Sequence, residues 1–394
     1  MFFRLKLALR LRDCLSHPPQ GEGKRSSSKG RACSESASNN LAVEKGGSWN
    51  RDDAREESLT GDTMRRKGRS AGTLEEVQAQ LVLLLDDLKC EKNDELRDAA
   101  AQSCYELCID RPEIRPLFLK LDAVDSLLEL AQKGRRHAQV FASLTLTSLT
   151  SQEDCRIYLM QRGIIRLCLE QLEEPDMPNE VKRGCLRAIG RLAKFSEASE
   201  EIMRLSGLQT IVPMLSCENE GIQRRALIAL YFIGADKPSI QDEFLKFKAI
   251  QPLLKLCMSS NPSVQLEAID VCKVLSRSRS CALQFVQESG VRIFVAAASE
   301  GSSKEIKSSA YRVMQRLCNH GPEISQLIIQ EGTNVAGCDL SEDGVDKLID
   351  VFSTGVISLQ EEAARIVEEL CQADPIASAF VHCPILMHEA CCML

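Results

Sequence analysis

The chain has 394 residues, 44% of them hydrophobic but only 4% aromatic, with 22 Gly and 13 Pro. That composition suits thin helical layers packed with Leu, Ile, Val and Ala rather than an aromatic-rich globular core. The formal net charge of −7 is unevenly spread: residues 1–72 hold 15 Lys/Arg against 9 Asp/Glu, and residues 73–394 hold 34 against 47, so a basic leading segment precedes an acidic body. Eighteen cysteines occur without a Cys-x-x-Cys pair, and there is neither an Asn-x-Ser/Thr sequon nor a run of about 18 apolar residues. These features weigh against a secreted disulfide scaffold and a transmembrane protein, and leave cytosol or nucleus as the expected compartment.

At the N-terminus, Phe3, Leu5, Leu7, Leu9 and Leu11 alternate with Arg4, Lys6, Arg10 and Arg12, and no acid precedes Asp13. The charge resembles an organelle-targeting leader, but a period of two makes a poor amphipathic helix, and a start without a targeting role stands beside that reading. Residues 13–72 are rich in Ser, Gly, Lys, Arg and Asn, bury too little apolar surface to offset ordering, and are expected to be disordered. Within them, Arg65-Arg66-Lys67-Gly68-Arg69-Ser70 fits a nuclear import signal or a basophilic-kinase site at Ser70, or is simply solvated tail.

From Thr73 a helical pattern begins and runs to the end. A small residue followed seven positions later by an aliphatic one and then by another small one recurs at Ala100/Leu107, Ala142/Leu149, Cys185/Leu192, Ala226/Ile233, Ala268/Leu275, Ala310/Leu317 and Ala363/Leu370. Successive steps are 42, 43, 41, 42, 42 and 53 residues, a period that signals stacked helical units. One unit reads as a short helix over Glu197–Leu205, a break at Gly207, a second helix over Leu208–Leu215 and a longer third over Gly221–Gly234. In the second helix, Leu208, Ile211, Val212 and Leu215 stand at i, i+3, i+4 and i+7, a stripe buried on one side. The break recurs at Ala123, Gly163, Gly207, Ala249, Gly290 and Gly332, where a small residue lets the chain turn sharply. Cys104, Cys108, Cys185, Cys272, Cys318 and Cys371 take helix-interior positions and are expected to be small buried hydrophobes with reduced thiols.

Segments such as MQRGIIRLCLEQL and RLSGLQTIVPML, followed by VKRGCLRAIGRLA and IQRRALIALYFIG, resemble the two diagnostic helices of the armadillo repeat family over residues 73–394. The two-helix HEAT repeat is the nearest alternative, and the short first helix broken from the second favours armadillo. The resemblance implies an all-α, right-handed solenoid of about seven three-helix repeats preceded by the tail at 1–72. Two departures are expected: an acidic insertion at about 333–344, which accounts for the 53-residue step, and a last repeat that stops after its second helix.

No catalytic constellation stands out: the five His are scattered, no Gly-x-Ser-x-Gly elbow occurs, and Gly21 to Ser26 lacks the first Gly of a phosphate loop. Three weaker patterns each have a bland counterpart. Asp339, Ser341, Asp343, Gly344, Val345, Lys347 and Asp350 follow calcium-loop spacing in outline, yet acids before a helix also act as N-caps. His382, Cys383, His388, Cys391 and Cys392 are zinc-type ligands without the spacing of a zinc module. Cys391-Cys392-Met393-Leu394 satisfies a prenylation pattern at Cys391, or is an ordinary helix end. No metal or cofactor is expected, and the chain reads as a non-enzyme.

What the resemblance implies about function lies in the third helices, which line the concave face in that family. Counted from each small residue, offsets +2, +5, +6 and +9 should face the groove. The Trp at +2 and Asn at +6 of importin-like members are absent, which argues against carriage of nuclear signals. In their place stand Arg187, Arg191, Lys194, Lys273, Arg277, Arg312 and Arg316, with an apolar island at Ile228, Tyr231 and Phe232. This resembles a catenin-like groove for an extended, acidic and partly hydrophobic partner peptide, and basic residues on an acidic body would steer such a ligand. The plain alternative is a set of solvated Arg and Lys in i, i+4 pairs. Nucleic acid is not expected, since stacking aromatics are few. A reading of a different class is a regulatory factor acting on a small GTPase or an Hsp70 chaperone. The oligomeric state is left open.

Overall fold

A computed structural model describes residues 73–90, 93–235 and 238–321 together with Ile324, and among these residues it contains seventeen α-helices and no strand. Two helices open the array, α1 (Leu74–Leu88) and α2 (Asp94–Asp110). Five three-helix units follow. They are α3 (Arg115–Lys120), α4 (Ala123–Lys133) and α5 (Arg136–Leu149); then α6 (Glu153–Gln161), α7 (Ile164–Glu173) and α8 (Asn179–Leu192). Next come α9 (Ser196–Arg204), α10 (Gly207–Ile211), which a 3-10 turn extends to Ser216, and α11 (Glu220–Gly234). The last two units are α12 (Pro238–Lys246), α13 (Ile250–Leu256) and α14 (Pro262–Leu275), and α15 (Arg279–Gln287), α16 (Gly290–Glu300) and α17 (Lys304–Cys318). The opening pair lacks a short first helix among the described residues, and α1 packs on α4 as a second helix does. The insertion at 333–344, the Ala363/Leu370 unit, the truncated last repeat, and the tail at 1–72 with Ser70 lie outside the described residues, as do the calcium-like loop and the His/Cys cluster with Cys391.

The third helices stack in chain order, α2 on α5, α5 on α8, α8 on α11, α11 on α14 and α14 on α17. Their periodic small residues, Ala100, Ala142, Cys185, Ala226, Ala268 and Ala310, are all buried, as are Leu149, Leu192, Ile233, Leu275 and Leu317 seven positions on. These residues lie on the helix face opposite the outward one and fill the core behind the row, whereas the close approach of α8 and α11 is at Gly190, where a Cβ would lie 3.4 Å from Ala229 Cα. Leu107 is only half-buried, on α2, the first third helix among the described residues. Several helices start on a side-chain cap: Asn219 Oδ1 accepts from the Ile222 amide at 3.0 Å, Ser303 Oγ from Ile306, and Thr73 forms a reciprocal capping box with Glu76.

The break between first and second helices differs from its sequence reading. The left-handed residue is Asp122, Ser206, Lys248 or Ser289, one position before the small residue, and only in the second unit is it the glycine itself, Gly163 with φ of 80°. Ile164 therefore occupies the position of Ala123, Gly207, Ala249 and Gly290. Glycine at 207 serves close packing instead: a Cβ there would lie 2.5 Å from Ile202 Cγ2 and 2.9 Å from the Ile202 carbonyl oxygen. At Gly163 a Cβ would meet nothing within 4 Å, so that glycine serves its backbone angle alone.

A second periodic device was not visible in the sequence. The backbone carbonyl eight residues after each small residue of a third helix, left without an intrahelical partner, accepts a hydrogen bond from a side chain of the following unit. Arg115 Nε donates to Cys108 at 3.1 Å, Arg156 Nε to Thr150 at 2.9 Å, Ser199 Oγ to Ala193 at 3.1 Å and Gln241 Nε2 to Gly234 at 3.1 Å. In the next unit the His320 Nε2 lies 2.7 Å from the Ser276 carbonyl, in the same role.

Cys104, Cys108, Cys185 and Cys272 are buried free thiols, as expected, and so are Cys155, Cys168, Cys257 and Cys281; Cys371 and the side chain of Cys318 lie outside the described residues. Burial, with Cys108 nearby, pushes the Cys104 thiol up to about 12, and burial raises Cys155 and Cys281 to about 11. Cys185 is raised first by its neighbour Cys168 and then by burial; Cys272, whose sulfur is 3.7 Å from that of Cys257, is raised first by burial. Thiols held neutral in this way pack as small apolar groups and are poor nucleophiles.

Three outcomes follow for urea unfolding of the full chain. Gly207→Asn should lower stability by about 1–3 kcal/mol through overpacking, whereas Gly163→Asn, in open space with a residue that tolerates the left-handed region, should cost under about 1 kcal/mol. Arg115→Met should cost about 1–3 kcal/mol by leaving the buried Cys108 carbonyl without its donor. For Cys104 the unfolded thiol ionises near 9.0 and the folded one near 12, so its contribution is present below pH 9 and is lost as pH rises through about 12. The midpoint of Cys104→Ala should accordingly fall less than that of the unsubstituted chain between pH 8 and pH 11; an equal fall would contradict the assignment.

Candidate functional site

The third helices present one face to the second-helix layer and to each other, and the opposite face outward. At 100° per residue, offsets −5, −2, −1, +2, +5, +6 and +9 fall within about 120° on that outward face. It carries the groove residues expected from the sequence, but the structure divides them into two groups.

On α8 the outward cations are Arg183, Arg187 and Arg191, with Lys194 just past the helix end. Arg187 is half-buried and Lys194 exposed, while Arg191 is only 8% exposed, its guanidinium lying between helices rather than at the surface. Arg183 lies 3.7 Å from Glu180, an exposed pair of small energetic weight. The Lys194 ammonium sits 4.8 Å over the Phe232 ring of α11, and Phe232 meets Tyr231 edge-on at 5.2 Å. Tyr231 and Phe232 are half-buried, so part of each ring is open to a ligand, but Ile228 is only 9% exposed, covered beside Gly190 of α8, where a Cβ would lie 3.5 Å from Ile228 Cγ2.

The second group is engaged within the array. Lys273 of α14 pairs with Asp270 one turn earlier, with side chains 13% and 12% exposed, and Ser309 of α17 donates to the same carboxylate at 2.8 Å. Arg316 donates to the Lys273 backbone carbonyl, and Arg277 to that of Ala235 at 2.7 Å. Arg224 of α11, also on this face, pairs with Glu267 of α14 at 2.8 Å, both largely buried. Arg312 is half-buried on α17. Cations and acids therefore stand together on α14 and at the α11/α14 boundary, whereas the outward face of α8 keeps Arg183, Arg187 and Lys194 beside a single acid, Glu180.

The sequence reading did not single out an aromatic cluster at the other end. Tyr105 of α2 lies 5.8 Å from Phe141 of α5, and His137 of α5 lies 4.7 Å from the same ring, centroid to centroid. Burial raises the Tyr105 phenol above its ordinary value, and the nearby Arg187 guanidinium opposes that shift, so the cluster borders the cations of α8. Tyr105 stands at offset +5, a position already assigned to the groove; Arg183, Phe141 and His137 stand at −2, −1 and −5, reached by running the same period backwards. Among the described residues no group of three or more His, Cys, Asp or Glu is placed to hold a metal ion, and no helix is long and apolar enough to cross a membrane.

No family model matches the chain. A Dictyostelium discoideum protein named as a probable inactive serine/threonine-protein kinase is 23% identical over 180 residues, covering 44% of this chain but only 15% of the relative's length. Solved structures resemble it over more of its length. An engineered protein aligns with a TM-score of 0.64 at 19% identity, over 74% of this chain and 68% of its own. A designed armadillo repeat protein in complex with peptide (KR)4 aligns at 0.55 and 16% identity, over 63% and 99%. A structure reported under a phosphorylation switch controlling the interaction between cadherin and beta-catenin aligns at 0.63 and 15% identity, over 77% and 54%. Three-helix units, third helices stacked in one row and these neighbours agree: the chain has the armadillo-repeat fold.

Proposed function

We propose that the chain is a non-enzymatic scaffold that binds an extended, acidic and partly hydrophobic segment of a partner protein along the outward face of its third helices. The observation that carries this reading is α8: Arg183, Arg187 and Lys194 lie in line on one face, and Lys194 lies over the half-open Phe232–Tyr231 pair. Cations beside partly exposed rings attract acidic side chains and offer apolar area for an anchor. Neighbours with the same fold include a designed protein bound to peptide (KR)4 and a structure concerned with cadherin and beta-catenin, which supports use of the fold for peptide and protein ligands. The sign of charge on α8 favours acidic ligands here. Arg191 is buried, and Lys273 and Arg316 are held by contacts inside the array, so their part is to support the face.

The test uses the full chain with Arg187→Glu and Lys194→Glu combined, both substitutions at positions that are not fully buried. Binding of a fluorescein-labelled peptide of alternating Glu and Leu, read by anisotropy, should weaken at least tenfold without a change in thermal midpoint, and affinity for the unsubstituted chain should fall as salt is raised. Unchanged affinity in the double variant would sink the proposal.

A further inference from the structure

We infer that the ligand segment is bipartite: two apolar anchors about five or six residues apart, with acidic residues between them. This rests on the reading of the outward face as a peptide groove and goes beyond it by fixing spacing and order. The first anchor site is the aromatic cluster of Tyr105, Phe141 and His137, at the junction of α2 and α5. The second is the edge-on pair Tyr231–Phe232 on α11, with Lys194 over it. Between them runs α8, whose Arg183 and Arg187 face outward and whose only acid on that face is Glu180, itself beside Arg183.

The spacing follows from helix packing. The α2/α5 junction and the α8/α11 junction are two helix steps apart, and third helices that pack in succession lie about 8–10 Å axis to axis, so the two sites are roughly 16–20 Å apart. An extended strand advances about 3.3 Å per residue, which puts the anchors about five or six residues apart. The residues between pass over α8, where carboxylates or phosphates meet guanidinium groups. Beyond α11 the face changes character: Arg224 pairs with Glu267 and Lys273 with Asp270. Acidic residues carried past the second anchor would meet carboxylates as well as cations, so the charge of the segment is expected between the anchors and not after them.

The experiment measures binding of the unsubstituted full chain to three fluorescein-labelled 16-residue peptides of equal composition, built from Glu, Ser and two Phe, with the Phe separated by two, six or ten positions. The six-residue spacing should bind at least tenfold more tightly than either alternative, and a fourth peptide with its Glu moved outside the Phe pair should lose most of that advantage. Phe141→Ala should reduce the six-spaced peptide to the affinity of a single-Phe peptide; should that variant fold poorly, the peptide series alone still decides. Equal binding at all spacings would overturn the bipartite reading and leave the groove reading standing. Binding of none of the acidic peptides would overturn both.

Discussion

The architecture depends on each third helix burying the face that carries its periodic small and aliphatic residues. With Ala142, Cys185, Ala226, Ala268 and Ala310 buried and the row α2, α5, α8, α11, α14 and α17 packed in succession, each helix must turn a fixed set of offsets outward. The outward face is thus a consequence of the packed face. A bulkier residue at one of these buried positions would move the outward side chains beyond it, because neighbouring units touch only one another and an error in one interface is carried along the row.

The part of this design that packs by shape was open to sequence reading. Repeating small and aliphatic residues announced the third helices, their period and the buried stripe of the second helices, because burial restricts residue type. In four units of five the turn lies one residue before the small residue that marks the break, on Asp122, Ser206, Lys248 or Ser289, and Gly207 and Gly290 instead make room for a neighbour. The carbonyl acceptors at offset +8 left no trace in the sequence: Arg115, Arg156, Ser199, Gln241 and His320 share a donor and nothing else. A hydrogen-bond role that many side chains can fill produces no motif.

The candidate site shows the same division. Its cations were countable, but which of them meet a ligand depends on partners from other helices. Glu267 holds Arg224 from 43 residues further along the chain, and Asp270, one turn from Lys273 on the same helix, is also bonded by Ser309 of the next unit. The result is a face that is polarised along the row, with accessible cations on α8 and ion pairs on α11 and α14. Aromatic residues flank the cationic helix on both sides, on α2 and α5 before it and on α11 after it, an arrangement that no single repeat contains.

The side-chain donors at offset +8 have a further implication for where the molecule can be divided. The third helices α2, α5, α8, α11 and α14 each end in a carbonyl that accepts a hydrogen bond from a side chain of the unit that follows, so these units are joined by a polar contact as well as an apolar one. A fragment that stops at a unit boundary loses one apolar interface and also exposes an acceptor whose donor has been removed with its neighbour. Excision of an internal unit differs in kind where the unit then brought alongside supplies its donor from its first helix, as those that open on α3, α6, α9 and α12 do. Loss of a whole internal unit is therefore expected to cost less at such a junction than shortening at the end.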